Sequence, residues 1–482
     1  MDLDNAMATA AVAGTNGTDH ALEAHSSAIE PDKQEDAQLP FERAAPPQVG
    51  ETNQEPQSKP RDTLAGGAAE KVSLTKEVER KTPAFDKESA PKQSEVWLFV
   101  DNGGGYIKYG VSSSSSFELV PNCIARRRRA SAHQLVGWDA EPRPDDVDAS
   151  KAPSGLEYSR PVERGYVIDA ETQADVWAQL LRGLQGCADR PRKVLVTSPP
   201  FTPPELEARF EEVLKSHFKF ASVHWVQPAA ISALRARQLL STHFALVVDS
   251  GYSFTHVTPV FDGQPYTKAI RRIDVGGKLL TNYLKELASF GQINLLDDTY
   301  VVEYMKRDLC YVSLDIDRDL ADLALWRKQP FLPRGQRLSR PERAALERRF
   351  SRRYVLPDFD KVQRGYAVDP DTPMEDLAHL ERQMVTLSGE RFLVPELLFR
   401  PSDIGIEQAG LCEVVRLVVD LCPIECRHLL RQNVILTGGN ALIPNLPERL
   451  AADLGEDYVV HRVPDPTFNS LQGASAFASQ LA

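Results

Sequence analysis

The chain has 482 residues, 42% of them hydrophobic, with 56 Lys and Arg against 68 Asp and Glu and a formal net charge of −12. No apolar run approaches the ~18 residues of a membrane-spanning helix, and no basic start followed by an apolar core marks a secretory signal. Six cysteines are too few for a disulfide scaffold, so a reducing compartment is expected, and the acidic balance argues against a general DNA-coating protein.

At roughly 150 residues per domain the length allows about three units. The composition, however, breaks sharply near residue 95. Residues 1–95 hold two aromatics, Phe41 and Phe85, and 18 acidic against 10 basic side chains. Such a segment cannot bury enough apolar surface to offset chain entropy, so a disordered acidic extension is expected, with at most a marginal helix over 72–80.

From residue 96 the pattern is one of strands and helices. Residues 95–100 form an apolar run ending at Asp101, Asn102, Gly103, Gly104 and Gly105, and 106–111 resume a strand, which reads as a hairpin with a glycine-rich tip. Thr202, Pro203, Pro204 and Glu205 read as a capping box, followed by a helical face of Leu206, Phe210, Val213 and Leu214. The hairpin pattern then recurs: 244–248, the turn Asp249, Ser250, Gly251, Tyr252 and Ser253, and a return over 254–261. Gly276 and Gly277 open a helix with Leu280, Tyr283, Leu284 and Leu287 on one face. Cys422 and Cys426 sit at helical spacing with no partner pair nearby, which reads as packing rather than a metal site. A third strand, 434–436, runs into Thr437, Gly438 and Gly439, with a helix after Pro444. Strands alternating with helices indicate α/β sheets, and the repeated hairpin indicates two related halves.

The chemistry of such turns is that of a nucleotide cleft. Glycine lets backbone amides approach a phosphate with no Cβ in the way. An aspartate at the strand end can hold a divalent cation, usually through water. Two facing hairpins would clamp a phosphate chain from both sides.

These motifs resemble the actin family. The turn at Asp101–Lys108 is similar to its first phosphate loop and that at Asp249–His256 to its second. Leu309 to Val312, Glu390 to Phe392 with Pro395 and Glu396, and Thr437 to Gly439 follow in the family's order. The resemblance covers about residues 96–480 and implies an actin-like fold, shared with heat-shock chaperones and sugar kinases: two related halves around a nucleotide cleft. It implies ATP or ADP with Mg²⁺, held by Asp101, Gly103, Gly104, Gly105, Lys108, Asp249, Gly251, Gly277, Lys306, Gly438 and Gly439, with Asp101 and Asp249 at the metal. Arg164 to Tyr166, Glu171 to Gln173 and Tyr354 to Phe359 narrow the resemblance to a nuclear class of the family. That class implies a non-motor subunit of a remodeller that exchanges ordinary histone dimers for variant ones. Its partners would be a Swi/Snf-type ATPase with other subunits and nucleosomes or histones, in the nucleus with a cytoplasmic pool, and no membrane.

Departures from the family pattern bear on activity. Gly104 stands where the resemblance places a phosphate-binding serine, Tyr252 replaces a carboxylate near the metal, and Ser253 replaces a glycine. Arg307 stands in place of a ribose-binding glutamate. The family's water-orienting glutamine falls at Gln227 or Pro228, with the register open by one. No catalytic residue is assigned, and hydrolysis is expected to fail before binding does, since positioning and charge stabilisation supply most phosphoryl-transfer catalysis. The segment from Pro121 to Arg160 departs from the family's polymer-contact loop, and nine residues follow Gly473. A homopolymer is therefore not expected; the alternative, an actin-like cytoskeletal ATPase or filament-associated protein, would need intact loops and the family's last helices.

A basic insertion near 327–353 carries ten Lys and Arg against Glu342 and Glu347. Ser339 and Glu342 form a capping box, predicting a basic helix to about Tyr354. It is either a solvated face or a contact for DNA phosphate, without sequence specificity, or for an acidic partner. Arg343, Arg348, Arg349, Arg352 and Arg353 are the candidate contacts, and the same choice applies to residues 126–129.

Overall fold

The chain divides into two units, Met1–Lys87 and Glu88–Ala482. A computed structural model describes residues 96–481 except 115, 128–133, 140–155, 185–190, 291–292, 359–361, 363, 378–379 and 381–382. The expected acidic extension, and Arg128 and Arg129, lie outside the described residues.

The first half is built on β1 (Trp97–Asn102), β2 (Tyr106–Val111) and β3 (Glu118–Pro121), then α1 (Ala170–Gly183), β4 (Lys193–Thr197), α2 (Pro204–Ser216) and β5 (Ser222–Val226). These strands make a five-stranded sheet in the order β5-β4-β1-β2-β3, antiparallel at the β1–β2 hairpin and parallel where β1 meets β4. Alternate residues of β1 face opposite layers. Leu98 and Val100 pack with Trp177 and Leu180 of α1 and Phe210 and Leu214 of α2. Trp97 and Phe99 pack on the other face with Ile231 and Leu471. A strand covered on both faces reads as a continuous apolar run, as this one does.

α3 (Pro228–Leu240) links the halves. Ala230 and Ile231 face the first sheet, while Ala229, Ala233 and Ala236 pack on the second. Small side chains let this helix lie close to both sheets at once.

The second half repeats the design with β6 (Phe244–Ser250), β7 (Thr255–Phe261), β8 (Gln264–Pro265) and β9 (Arg271–Ile273), followed by α4 (Gly277–Ser289) and α5 (Thr299–Leu309). Then come α6 (Ile316–Lys328), α7 (Arg340–Phe350), β10 (Arg352–Val355), β11 (Val434–Thr437) and β12 (Val460–Arg462). The second sheet runs β8-β7-β6-β11-β12, with β9 also pairing β7. Leu246, Val248 and Val257 pack with Leu280, Leu284 and Met305 in the largest core cluster. The expected two-halved α/β architecture is present.

Two local expectations are corrected. Thr202 and Glu205 form no capping box: α2 is capped at Pro203 with no side-chain bond, and the Thr202 hydroxyl donates to Pro199 O at 2.7 Å. Two consecutive prolines push the helix start one residue on, out of the threonine's reach. The Ser339–Glu342 box does form, but α7 ends at Phe350 rather than Tyr354. Arg352 and Arg353 belong instead to β10, because Tyr354 and Val355 pair with the strand Met384–Leu387 and are buried there.

Candidate nucleotide cleft

The two hairpins set the site. In the first, Asp101 lies opposite Lys108 in the ladder; in the second, Asp249 lies opposite His256. The first tip is fixed by its own backbone and by side chains beneath it. Gly103 N donates to Asp101 O at 2.9 Å, Asn122 Nδ2 to Gly103 O at 2.9 Å, and Trp177 Nε1 to Asn102 Oδ1 at 2.9 Å. The second tip is fixed by Gly251 N to Phe254 O at 3.0 Å and by Asn440 Nδ2 to Gly251 O at 2.8 Å. Gly277 N and Lys278 N donate to the carbonyls of Gly251 and Tyr252, tying the start of α4 to this tip.

Between them lies a cavity of about 1020 Å³, at the upper end of the ~300–1,000 Å³ typical of ligand sites. Each of the eleven residues assigned from the sequence, Asp101 through Gly439, lines it. Their roles differ. The amides of Gly103, Gly251, Gly277 and Gly438 donate to carbonyls of the protein, whereas among the described residues those of Gly104 and Gly105 have no such bond. The amides of Ser253 and Gly439, also on the cavity, likewise have no such bond among the described residues, so the donors left for a phosphate stand at both tips and at the turn after β11. Gly438 has φ +90, and a Cβ there would strike the Ser250 carbonyl and approach Asp249, so only glycine turns the chain past that carboxylate.

Electrostatically the two aspartates are unlike. Asp101 accepts from Lys108 Nζ, Thr197 Oγ1 and Ser470 Oγ, each at 2.8 Å. Burial opposes its ionisation, but Lys108 with the two hydroxyls outweighs that and holds the carboxyl below its usual range. Asp249 is pushed up to about 6, first by burial and then by the neighbouring charge of Asp101, with Lys108 only partly offsetting. His256, absent from the sequence-derived set, also lines the cavity. Burial and then the charge of Arg272 lower its pKa to about 3, so it is neutral, and its Nε2 is buried without a partner among the described residues. Lys306 donates to Gly277 O and Thr281 Oγ1, both at 2.8 Å, and burial followed by Arg307 lowers its pKa. Arg307 pairs with Glu303 and lies 5.1 Å over the Tyr106 ring, closing that end of the cavity.

The departures noted in the sequence acquire positions. Pro228, not Gln227, faces the cavity; Gln227 borders a separate small recess with Ser198 and Trp225. Tyr252 does not reach toward a metal. Its ring packs against Gly105, where a Cβ would lie 2.8 Å away, and Arg160 stacks over it at 5.0 Å while donating to Gly105 O at 2.9 Å. A Cβ on Gly104 would come within 2.5 Å of Ser253 Oγ. The serine of the second tip therefore fills the space the first tip leaves empty, and the two departures are one steric exchange.

The residues fit a magnesium nucleotide. Among the described residues no group of three or more His, Cys, Asp or Glu side chains assembles a metal cage. Mg²⁺ needs none, since it keeps most of its waters and takes one or two carboxylates together with substrate phosphates. Asp101 and Asp249 would supply those carboxylates, Gly104 and Gly105 the phosphate cradle.

The five arginines of the insertion do not act together. Arg348 pairs with Asp371 at 2.6 Å, and Arg349 pairs with Asp319 and, at 2.8 Å, with Asp322. Arg352 donates to Ser351 O and Arg353 to Thr372 O, both at 2.9 Å. Only Arg343 is exposed with no ion pair among the described residues. Aspartates 23 to 30 residues away account for Arg348 and Arg349, and backbone carbonyls for Arg352 and Arg353. Arg126 donates to Gln134 Oε1 at 3.0 Å.

The family model "Actin" matches residues 93–481. Curated relatives include "Actin-related protein 6" of Arabidopsis thaliana, 33% identical over 79% of this chain and 92% of that protein. The protein of the same name in Drosophila melanogaster is 34% identical over 74% and 85%, and "Actin-like protein ARP6" of Yarrowia lipolytica 34% over 80% and 90%. With the paired hairpins, the intervening cleft and nearly the whole folded region matched, this chain belongs to the actin family.

Proposed function

We propose that this chain is a non-motor subunit of a nuclear chromatin-remodelling complex, in which a separate Swi/Snf-type ATPase drives exchange of ordinary histone dimers for variant ones. The likeness to proteins named actin-related protein 6 in a plant, an insect and a yeast supports the class. The observation that carries the non-motor role is the pairing of an intact cleft with a proline at its catalytic wall. Pro228 offers no group to orient water. Orienting the attacking group is a large part of phosphoryl-transfer catalysis, so loss of the orienting residue removes turnover while leaving the binding surface.

In this reading ATP or ADP with Mg²⁺ is a structural ligand. It would bridge the two tips and hold the halves at a fixed angle, presenting a constant outer surface to the Swi/Snf-type ATPase, its companion subunits and the nucleosome. Localisation would be nuclear, with a cytoplasmic pool before assembly. Affinity purification of the tagged protein with mass spectrometry tests the assignment. Recovery of a Swi/Snf-type ATPase, RuvB-like proteins and a histone variant is the expected result; cytoskeletal partners alone would overturn it.

A further inference from the structure

The insertion's cations divide into a neutralised set and an open one. Arg327 is 3.6 Å from Glu390, and Arg348 and Arg349 have their aspartates. Lys328, Arg334, Arg337, Arg340 and Arg343 are all exposed, and among the described residues none has a carboxylate within ion-pair distance. The one acid between them, Glu342, is turned into the helix cap, accepting from Ser339 N at 2.9 Å and Ser339 Oγ at 2.6 Å. These five lie at the end of α6, on the connection to α7 and on the first turn of α7; of the arginines in 343–353 only Arg343 is among them.

That turn is built rather than loose. Gln329 is buried, donating to Leu325 O at 3.2 Å and accepting from Leu338 N at 2.7 Å, which pins both ends of the connection. Arg337 spans it, donating to Leu332 O at 2.6 Å and Pro330 O at 3.1 Å. Phe331, 80% exposed, lies between the two carbonyls that Arg337 binds and three residues from both Lys328 and Arg334, and Leu325 is exposed in the last turn of α6.

We propose that this ledge, formed by Lys328, Arg334, Arg337, Arg340 and Arg343 around Phe331, docks an acidic peptide that carries apolar residues. Charge complementarity requires an anion; the exposed phenylalanine selects which. A phosphate backbone offers nothing apolar to cover an aromatic ring, whereas a peptide of alternating acidic and large aliphatic residues satisfies both features together.

The test uses the full chain and three fluorescent probes: a peptide of alternating glutamate and leucine, an all-glutamate peptide of equal length, and random-sequence duplex DNA. The expected order of affinity is glutamate–leucine peptide first, all-glutamate second and duplex last. The triple variant Lys328→Glu, Arg340→Glu and Arg343→Glu should weaken the first probe by about tenfold or more, three exposed pairs being lost and then reversed. It spares Arg337, which holds the turn, and an unchanged melting temperature shows that the fold is kept. Phe331→Ser should weaken the glutamate–leucine peptide and leave the all-glutamate peptide unaffected. Tightest binding of the duplex, with Phe331→Ser silent, would overturn the proposal in favour of a phosphate site. Failure of both peptides to bind at physiological salt would overturn it in favour of a solvated face.

Discussion

The two hairpins share a design and differ at one facing residue. Both are a buried strand, an aspartate, a glycine turn and a returning strand, and in both the aspartate is paired in register with the residue seven positions on. In the first that residue is Lys108, which holds Asp101 ionised. In the second it is His256, too buried to carry charge, and Asp249 is left near 6. The same local backbone thus yields one fixed anion and one that can take up a proton. A turn motif determines where a carboxylate stands; burial and the neighbouring charges, Lys108 beside Asp101 and Asp101 itself beside Asp249, determine its charge.

The largest effect should come from breaking the first hairpin's pair. Lys108→Met leaves Asp101 buried with two hydroxyls and no cation, and removal of one partner of a buried pair typically costs about 3–5 kcal/mol. Urea denaturation at pH 7 should show that loss; a change below about 1 kcal/mol would mean that Thr197 and Ser470 suffice. Next is the ligand that would join the hairpins. Magnesium-ATP at 100 times its dissociation constant should stabilise by about 2.7 kcal/mol. Absence of any thermal shift, with no nucleotide released from the purified protein on denaturation, would make the cleft purely structural.

The second hairpin gives a pH signature. Because the folded pKa of Asp249 lies above its ordinary 3.8, the fold favours the protonated form. The associated stability is complete below about pH 4 and is lost as pH rises through 6, by on the order of 2–3 kcal/mol at 1.36 kcal/mol per unit. Asp249→Asn stays neutral and escapes that loss. Its urea midpoint should match the wild type near pH 4 and exceed it above pH 7; a variant less stable at pH 8 would show that the carboxylate is better solvated than its burial implies. The smallest effect concerns the exchange between the tips. Gly104→Ser should destabilise by about 1 kcal/mol, the low end of overpacking costs, because the Ser253 hydroxyl can rotate away. Adding Ser253→Gly should restore the stability. Equal stability for Gly104→Ser alone would mean the tips have room to separate.

Much of the site was legible because its elements are local. Strand, aspartate and glycine turn lie within ten residues, so both hairpins and the Gly438 turn could be read directly, and all eleven assigned residues line one cavity. What escaped was set by distant or fine geometry. Thr197 and Ser470 lie 96 and 369 residues from the Asp101 they support, and nothing near either announces it. Gln227 and Pro228 were indistinguishable because one residue at a helix start is a rotation of about 100°; the cap at Gln227 turned Pro228 inward. The basic insertion misled because charge counts ignore partners, and Asp319, Asp322 and Asp371 were not visible as such.

The sequence by itself determined the two-halved α/β plan, the family and the positions of both strand-end aspartates, since periodicity and turn chemistry act over a few residues. Only the tertiary structure decided the charge of those aspartates, the exchange of bulk between Gly104 and Ser253, and which arginines remain open. Burial and pairing decide these, and each depends on side chains that only folding brings within a few ångströms.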